Sequence, residues 1–230
     1  MTLLIAEISN HHVGDMMKAK KLIYTARECG ADAVKGQAFL ASDMLEYGTM
    51  PKEFYQKAAL KFAQYKELID FGNELDIPVF FTIISQKFSY LMQQQKYRKI
   101  HAGAFKKRKM SSFKDESNMI ISTNGYRPGM DKLKKVNFLY ASPYLKDHNR
   151  QIYEALVTAM ERPIGLSHHG QGVDGLLDMI NRYEIPIIEK HFFLGDRIVY
   201  GDKVYRDCLH SANPKVFEFL ANEYKKGKAA

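Results

Sequence analysis

A chain of 230 residues with 46% hydrophobic content can bury one large core, and its apolar runs fall short of the ~20 residues that a transmembrane helix needs. Two cysteines, Cys29 and Cys208, exclude a disulfide framework or a zinc cluster, and the N-terminus lacks the basic and small-residue features of a signal peptide. The formal net charge of +8 lies largely in residues 96–99 and 106–109 without a nucleic-acid-binding signature, so we expect a cytoplasmic protein that binds neither membrane nor nucleic acid.

Short apolar runs alternate with helical segments along the chain, which is typical of a parallel sheet built from βα units. We predict eight strands, near residues 3–8, 32–38, 77–83, 97–101, 118–122, 136–141, 163–167 and 185–190. Each run is continuously apolar or nearly so, as expected for a strand that is buried on both faces. Helical periodicity predicts helices over residues 16–28, 51–75, 148–161, 173–183 and 214–225, the last of them capped by Asn213.

Eight strands with intervening helices favour an α/β fold of the (β/α)8 TIM barrel type. Residues 102–117 and 123–135 are short and polar, so the barrel should be trimmed around its fourth and fifth helices. The alternative, an open doubly wound sheet, would need a glycine-rich phosphate loop after the first strand, and residues 8–15 do not form one. No linker or repeat divides the chain, which predicts a single domain over residues 1–230.

Polar residues close every predicted strand, at the end where barrel enzymes carry their catalytic groups. In chain order they include Glu7, Lys35, Gln37, Thr82, Lys99, Ser122, Tyr144, Ser167, His169, Glu189 and His191. Ammonium and hydroxyl groups stabilise anionic oxygens, so this set suits a phosphate or a carboxylate ligand. We therefore expect a polar, anion-binding cavity at the barrel mouth.

Two histidines, His169 and His191, end neighbouring predicted strands. Neutral imidazoles placed in this way can share one divalent cation, with water or other oxygen ligands filling the remaining positions. The alternative is a structural role, in which each ring is hydrogen-bonded to a carbonyl. For Glu7, the alternative to a catalytic role is a salt bridge to Lys35 or Lys190.

Six stretches of the chain carry a family resemblance. They are IAEISNHHVGD at 5–15, ADAVKGQAF at 31–39, YRKIHAG at 97–103, MIISTNG at 119–125, GLSHHGQG at 165–172 and IIEKHFFLGD at 187–196. Together they resemble the strand motifs of the N-acetylneuraminate (sialic acid) synthase family. Asp202 follows His191 by eleven residues, as the distal aspartate of that family does.

The resemblance implies a sialic acid synthase-like transferase of carbohydrate biosynthesis. It would condense phosphoenolpyruvate with an N-acyl amino sugar, form a carbon–carbon bond to give a nonulosonic acid, and release phosphate. The implied site comprises a divalent metal, Mn²⁺ with Mg²⁺ as the alternative, on His169 and His191; catalytic Glu7; phosphoenolpyruvate on Lys35, Thr82, Lys99, Ser122 and Ser167; and the sugar against Gln37, Tyr144 and Asp202.

The chain departs from this family mainly on the sugar side. Ala102 and Ala104 stand where the family has a phosphate-binding serine and an acidic residue that meets the sugar, and His168 replaces an aspartate. The antifreeze-like domain of the family, which supplies an arginine to a partner's barrel, has no counterpart in these 230 residues. These differences predict an altered sugar acceptor, or a homodimer or separate partner protein that completes the site.

Two other functions fit the same barrel. An aldolase or lyase would use a Schiff-base lysine, either Lys35 or Lys99, which borohydride trapping with pyruvate would detect. A non-catalytic barrel that binds a sugar or an anion would account for Ala102, Ala104 and the absent domain.

Overall fold

The computed structural model describes residues 2–45, 50–142 and 147–226. Its eight parallel strands pair in chain order and the first pairs with the last, so the sheet closes into a barrel. The strands are β1 Leu3–Ser9, β2 Ala33–Ala38, β3 Val79–Ile83, β4 Arg98–Ile100, β5 Met119–Thr123, β6 Asn137–Ser142, β7 Gly165–His168 and β8 Ile187–His191. The predicted (β/α)8 barrel is confirmed, with every strand boundary within two residues of its predicted position.

The helices pack around this barrel and leave one side thin. They are α1 Met16–Glu28, α2 Lys52–Ala58, α3 Phe62–Glu74, α4 Ala102–Lys107, α5 Asp147–Met160, α6 Asp174–Arg182 and α7 Pro214–Lys226. The helix α4 has only six residues, and a three-residue 3-10 turn at Met130–Lys132 replaces a helix between β5 and β6. The predicted trimming is therefore confirmed. In the described parts of the chain, no helix has both the length and the apolar character to cross a membrane.

One predicted helix, over residues 51–75, is two helices in the structure. Ala59 ends α2 in an extended conformation, with a ψ of 127°, and Lys61 is extended before α3. Between them the side chain of Leu60 is buried in the core. The side chain of Gln64 accepts a hydrogen bond of 2.8 Å from the Lys61 N–H, which caps the new helix. Apolar periodicity misses this break because the three residues that form it are good helix formers.

Alternation along each strand divides the barrel interior into an apolar layer and a polar layer. Residues two apart on a strand face the same side, so Glu7 follows Ile5 into the interior and Glu189 follows Ile187. The apolar layer consists of Leu3, Ile5, Ala33, Phe80, Tyr97, Ile120, Leu139 and Ile187. Because this layer fills the lower half, the polar layer above it faces a cavity at the C-terminal ends of the strands.

The segment after β8 reaches the barrel mouth before it enters α7. It contains a hairpin, β9 Val199–Tyr200 and β10 Lys203–Val204, and a 3-10 turn at Arg206–Leu209. Tyr205 and Cys208 of this segment are buried in an apolar cluster with residues of α2. The cluster fixes the 3-10 turn beside the cavity.

Candidate active site

A cavity of about 470 Å³ opens at the barrel mouth, within the size range of small-molecule sites. The predicted site residues in its wall are Glu7, Lys35, Gln37, Thr82, Lys99, Ser122, Ser167, His169 and His191. Tyr144 lies outside the described residues. The structure thus brings the described strand-end residues together, while their individual roles stay predictions.

Two lysines inside the mouth share one carboxylate. Lys35 Nζ lies 3.2 Å from Glu189 Oε2, and Lys99 Nζ lies 2.9 Å from the same oxygen. Ser167 donates a hydrogen bond of 2.7 Å to the other oxygen of Glu189. The sequence marks Glu189 only as a strand-end residue, because barrel closure is what places β8 beside β1, two strands from β2, and across the barrel from β4.

Whether each group of this cluster is charged depends on two opposing effects. Burial disfavours the charged form, and attraction between the lysines and the carboxylates favours it. Burial disfavours the charged form of Glu189, yet Lys35 and Lys99 together hold its pKa well below the usual range. Burial lowers the pKa of Lys99 to about 8, and the attraction of Glu189 offsets only part of that effect. For Lys35, burial is outweighed by Glu189 and Glu7 together, so the pKa is raised. Both lysines are therefore predominantly ammonium groups at pH 7.

Glu7 lies in the same cluster but titrates differently. Burial raises the pKa of Glu7 to about 7 against the attraction of Lys35, and repulsion from Glu189 adds to the rise. The carboxylate contacts Lys35, which is one of the two salt bridges that the sequence offered as its structural role. A carboxyl group with a pKa near 7 can also accept and donate a proton at neutral pH.

The rings of His169 and His191 lie side by side, with centroids 5.1 Å apart. Burial lowers the pKa of both, that of His191 to about 3, so both rings are neutral at pH 7. Among the described residues, the buried His191 Nδ1 has no hydrogen-bond partner, and the nearest carboxylate oxygen is Asp207 Oδ2 at 4.0 Å. The alternative role for His191, a hydrogen bond from this nitrogen to a carbonyl, is not seen.

His169 and His191 would supply only part of the coordination sphere of a divalent cation. Neutral imidazoles are suitable ligands, and the unpartnered nitrogen of His191 fits that role. Within the described ranges, however, no group of three or more His, Cys, Asp or Glu side chains is disposed to hold a metal. Water and substrate oxygens would have to fill the other positions.

After β8, the aspartate that lines the cavity is Asp207, whereas the role predicted for Asp202 stays a prediction. Asp202 is exposed in the turn between β9 and β10 and does not line the cavity, whereas Asp207 does. The β9–β10 hairpin lengthens the connection after His191 and carries Asp202 away from the barrel mouth. A count of residues from His191 cannot detect this, because the hairpin strands are only two residues long.

In the part of the chain that the structure describes, Asp207 is held by hydroxyl groups and not by lysines. The hydroxyls of Ser9 and Tyr205 lie 2.5 Å and 2.7 Å from Asp207 Oδ2. Asn10 Nδ2 donates both to Tyr205 at 3.2 Å and to Gln37 Oε1 at 3.1 Å. Burial opposes ionisation of Asp207, but His191 and the two hydroxyl donors together lower its pKa to about 2.

Several residues of the cavity wall carry no signal that the sequence reasoning used. The described ones with polar side chains are Tyr55, His101, Asn124, Tyr205, Arg206 and His210. Tyr55, Arg206 and His210 lie in helices, turns or loops away from the barrel strands, as does Tyr205, so strand-end analysis does not find them. His101 and Asn124 directly follow β4 and β5. Ala102 also lines the cavity, so the position at which the family resemblance implies a serine lies in the wall of the site.

A closed barrel with buried lysines, carboxylates and histidines at the C-terminal ends of its strands has the architecture of a barrel enzyme. No protein-family model matches the chain. It is 26% identical over 247 residues to an uncharacterized protein of Methanocaldococcus jannaschii, covering 97% of this chain and 70% of that protein. It is also 26% identical over 260 residues to the N,N'-diacetyllegionaminic acid synthase of Campylobacter jejuni, covering 97% of this chain and 75% of that enzyme.

The barrel is also similar to solved structures. The crystal structure of N-acetylneuraminic acid (sialic acid) synthetase from Leptospira borgpetersenii, in complex with citrate, matches with a TM-score of 0.76 and 22% identity. The match covers 99% of this chain and 84% of that one. Over nearly its whole length the chain is thus similar to a legionaminic acid synthase in sequence and to the barrel of a sialic acid synthetase in structure.

Proposed function

We propose that this chain condenses phosphoenolpyruvate with an N-acyl amino sugar, giving a sialic-acid-like nonulosonic acid and phosphate. The observation that carries the proposal is the pair of buried lysines, Lys35 and Lys99, beside two neutral histidines in one cavity. The names of the relatives, legionaminic acid synthase and sialic acid synthetase, support the reaction class.

The two lysines would bind the carboxylate and the phosphate of phosphoenolpyruvate. An ammonium group has three N–H donors. Among the described residues, Lys99 Nζ makes its ion pair with Glu189 and no further hydrogen bond, so donors are left for a ligand. The hydroxyls of Thr82, Ser122 and Ser167 line the same cavity and would complete the anion site.

His169 and His191 would hold a divalent cation, Mn²⁺ with Mg²⁺ as the alternative. When bound, this cation would act as a Lewis acid on the carbonyl oxygen of the open-chain sugar. The support is the pair of adjacent neutral rings and the unpartnered nitrogen of His191.

Glu7 would exchange protons with the water that adds to the former enol carbon. Its pKa of about 7 and its place in the cavity wall suit that task. The ion pair with Lys35 would keep the carboxylate turned toward the phosphoenolpyruvate site.

Gln37 and Asp207 would face the acceptor sugar, and Tyr144 keeps the same proposed role. The hydrogen bond from Asn10 occupies Gln37 Oε1, which leaves the Gln37 amide group as a donor. Asp207, ionised and acceptor-only, would receive hydroxyl donors. A second copy of the chain, or a separate partner protein, would supply what Ala102 and Ala104 lack.

A phosphate-release assay with phosphoenolpyruvate, Mn²⁺ and a panel of acyl-amino sugars tests the proposal. Lys99→Met should raise the KM for phosphoenolpyruvate tenfold or more, because a charge-assisted contact contributes about 1.5–3 kcal/mol. Lys96→Met is the control, since Lys96 is exposed and lies outside the cavity wall. Absence of phosphate release with every sugar, or an unchanged KM in Lys99→Met, would contradict the proposal.

An aldolase or lyase is the second candidate, and one observation favours it. A Schiff base needs a neutral amine, and burial lowers the pKa of Lys99 to about 8, whereas that of Lys35 is raised. Borohydride trapping with pyruvate should label Lys99 if this candidate is right. A lack of labelling together with phosphate release would reject it.

A further inference from the structure

Ser9 occupies a strained position at the end of β1. Its φ is +45°, a left-handed conformation that residues with a Cβ rarely adopt, and its side chain is fully buried. The pairing register between β1 and β2 shifts between Glu7 and Ser9. Such a conformation persists only where surrounding interactions hold it.

The interactions that hold Ser9 lead to two carboxylates of the cavity. The Ser9 N–H donates to Glu7 Oε1 at 2.6 Å. The Ser9 hydroxyl lies 2.5 Å from Asp207 Oδ2 and 2.7 Å from the hydroxyl of Tyr205. Ser9 therefore joins a carboxylate on β1 to a carboxylate on the segment after β8, and the second of these lies 198 residues from Ser9 in the sequence.

A glycine would adopt the same φ without strain but has no hydroxyl group. The left-handed backbone turns the Ser9 N–H toward Glu7 while the side chain reaches Asp207. The strain is thus offset by the contact that only the side chain makes.

We propose that Ser9 is a positioning residue that fixes the carboxylates of Glu7 and Asp207 relative to each other in the cavity. This inference rests on the proposed function, in which Glu7 transfers a proton and Asp207 faces the acceptor. Ser9 itself touches neither substrate; it acts through the two carboxylates.

Ser9→Gly and Ser9→Ala test the inference in the full chain. Both remove the hydroxyl and keep the N–H, but only glycine also relieves the strain. We expect Ser9→Gly to melt at or above the wild-type temperature and Ser9→Ala to melt below it. Both should lower acceptor-dependent kcat/KM about tenfold to a hundredfold, as misplaced site groups do, with the KM for phosphoenolpyruvate unchanged.

Tyr205→Phe removes the other hydroxyl on Asp207 Oδ2 without altering the backbone of Ser9. It should shift the kinetics in the same direction. If Ser9→Gly and Tyr205→Phe both keep wild-type acceptor kinetics, the inference is overturned.

Thiol labelling tests the same inference without turnover. Cys208 follows Asp207, Cys29 lies at the end of α1, and both are 7% exposed, so Cys29 is an internal control. Ser9→Gly should speed modification of Cys208 severalfold and leave Cys29 unchanged. Equal rates at Cys208 in variant and wild type, or a parallel rise at both cysteines, would overturn the inference. An inactive wild type with selective labelling at Cys208 would support Ser9 as the tether of Asp207 and reject the proposed function alone.

Discussion

Lys35 and Lys190 are both buried, at 5% and 1% exposure, yet their surroundings differ in kind. Inside the barrel mouth, Lys35 contacts the carboxylates of Glu7 and Glu189. Lys190 instead lies 3.1 Å from His168 Nδ1 and donates to the carbonyl of Gly170 at 2.6 Å, with no carboxylate in contact among the described residues. The pKa of Lys35 is raised because two carboxylates outweigh burial, whereas burial lowers that of Lys190 to about 7.

The two lysine environments also differ in their position relative to the cavity. The interior lysines face a cavity, where an anionic ligand can take the place of a carboxylate partner. Lys190 does not line the cavity; it ties β8 to the loop after β7. Burial disfavours the charged form of both lysines. Whether a buried lysine stays fully protonated at neutral pH or is partly neutral therefore depends on whether a carboxylate contacts it.

The cluster of Glu7, Lys35, Lys99 and Glu189 inside the barrel mouth is called the interior cluster here. The largest expected effect on stability comes from removing the carboxylate of Glu189, which both lysines share. Glu189→Gln leaves Lys99 buried without its ion-pair partner. Loss of one member of a buried pair costs about 3–5 kcal/mol, which urea denaturation would measure. Glu184→Gln, at an exposed position of the preceding loop, is the control and should change stability by less than about 0.5 kcal/mol. A similar small change in Glu189→Gln would show that the cluster is not energetically coupled.

Glu7 should give the interior cluster a pH dependence of its own. Its pKa rises from 4.5 to about 7 on folding, so the native state keeps a proton that the unfolded chain releases in that window. Stability contributed by Glu7 is therefore lost as the pH rises from about 4.5 to about 7. Glu7→Gln should reduce this fall by about 1–3 kcal/mol in denaturation series across that range. Glu53→Gln, at an exposed position of α2, should leave the series unchanged.

A carboxylate placed beside Lys190 should raise the pKa of this lysine, as Glu7 and Glu189 raise that of Lys35. The pKa of Lys190 falls from 10.5 to about 7 on folding, so burial of this lysine lowers the stability of the folded protein. This loss of stability is complete below about pH 7 and disappears as the pH rises toward 10.5. His168→Asp should stabilise the protein by about 1.5 kcal/mol at pH 7 and flatten that rise. His168→Asn, which adds no charge, is the matched control. Equal stability of the two variants would contradict the comparison.

The smallest effect belongs to an ion pair at the surface. Lys66 and Asp70 on α3 lie 2.6 Å apart, with about half of each side chain exposed. Asp70→Asn should cost no more than about 0.5 kcal/mol, and less at high salt, because water and ions screen the pair. A loss as large as that of Glu189→Gln would show that burial does not set the strength of ion pairs in this chain.

Local signals in the sequence were sufficient where a structure depends on neighbours along the chain. The helix α1 begins and ends where periodicity places it, and the Asp15 side chain caps it through bonds to Met17 and Lys18. Periodicity does not show the break at Ala59 to Lys61, because that break depends on burying Leu60 against other elements. Apolar periodicity indicates which residues are buried, but it does not indicate where packing in the core interrupts a helix.

The site divides in the same way. By itself the sequence determined the strands, the barrel and the polar residues at the strand ends, because a period of two sends Glu7 and Glu189 to the same interior as Ile5 and Ile187. Only the tertiary structure decided that Glu189 joins Lys35 to Lys99, and that Asp207 and not Asp202 reaches the cavity. Those contacts join residues far apart in the chain across a closed barrel, and their geometry is set by barrel closure and by the hairpin after β8, which no local pattern encodes.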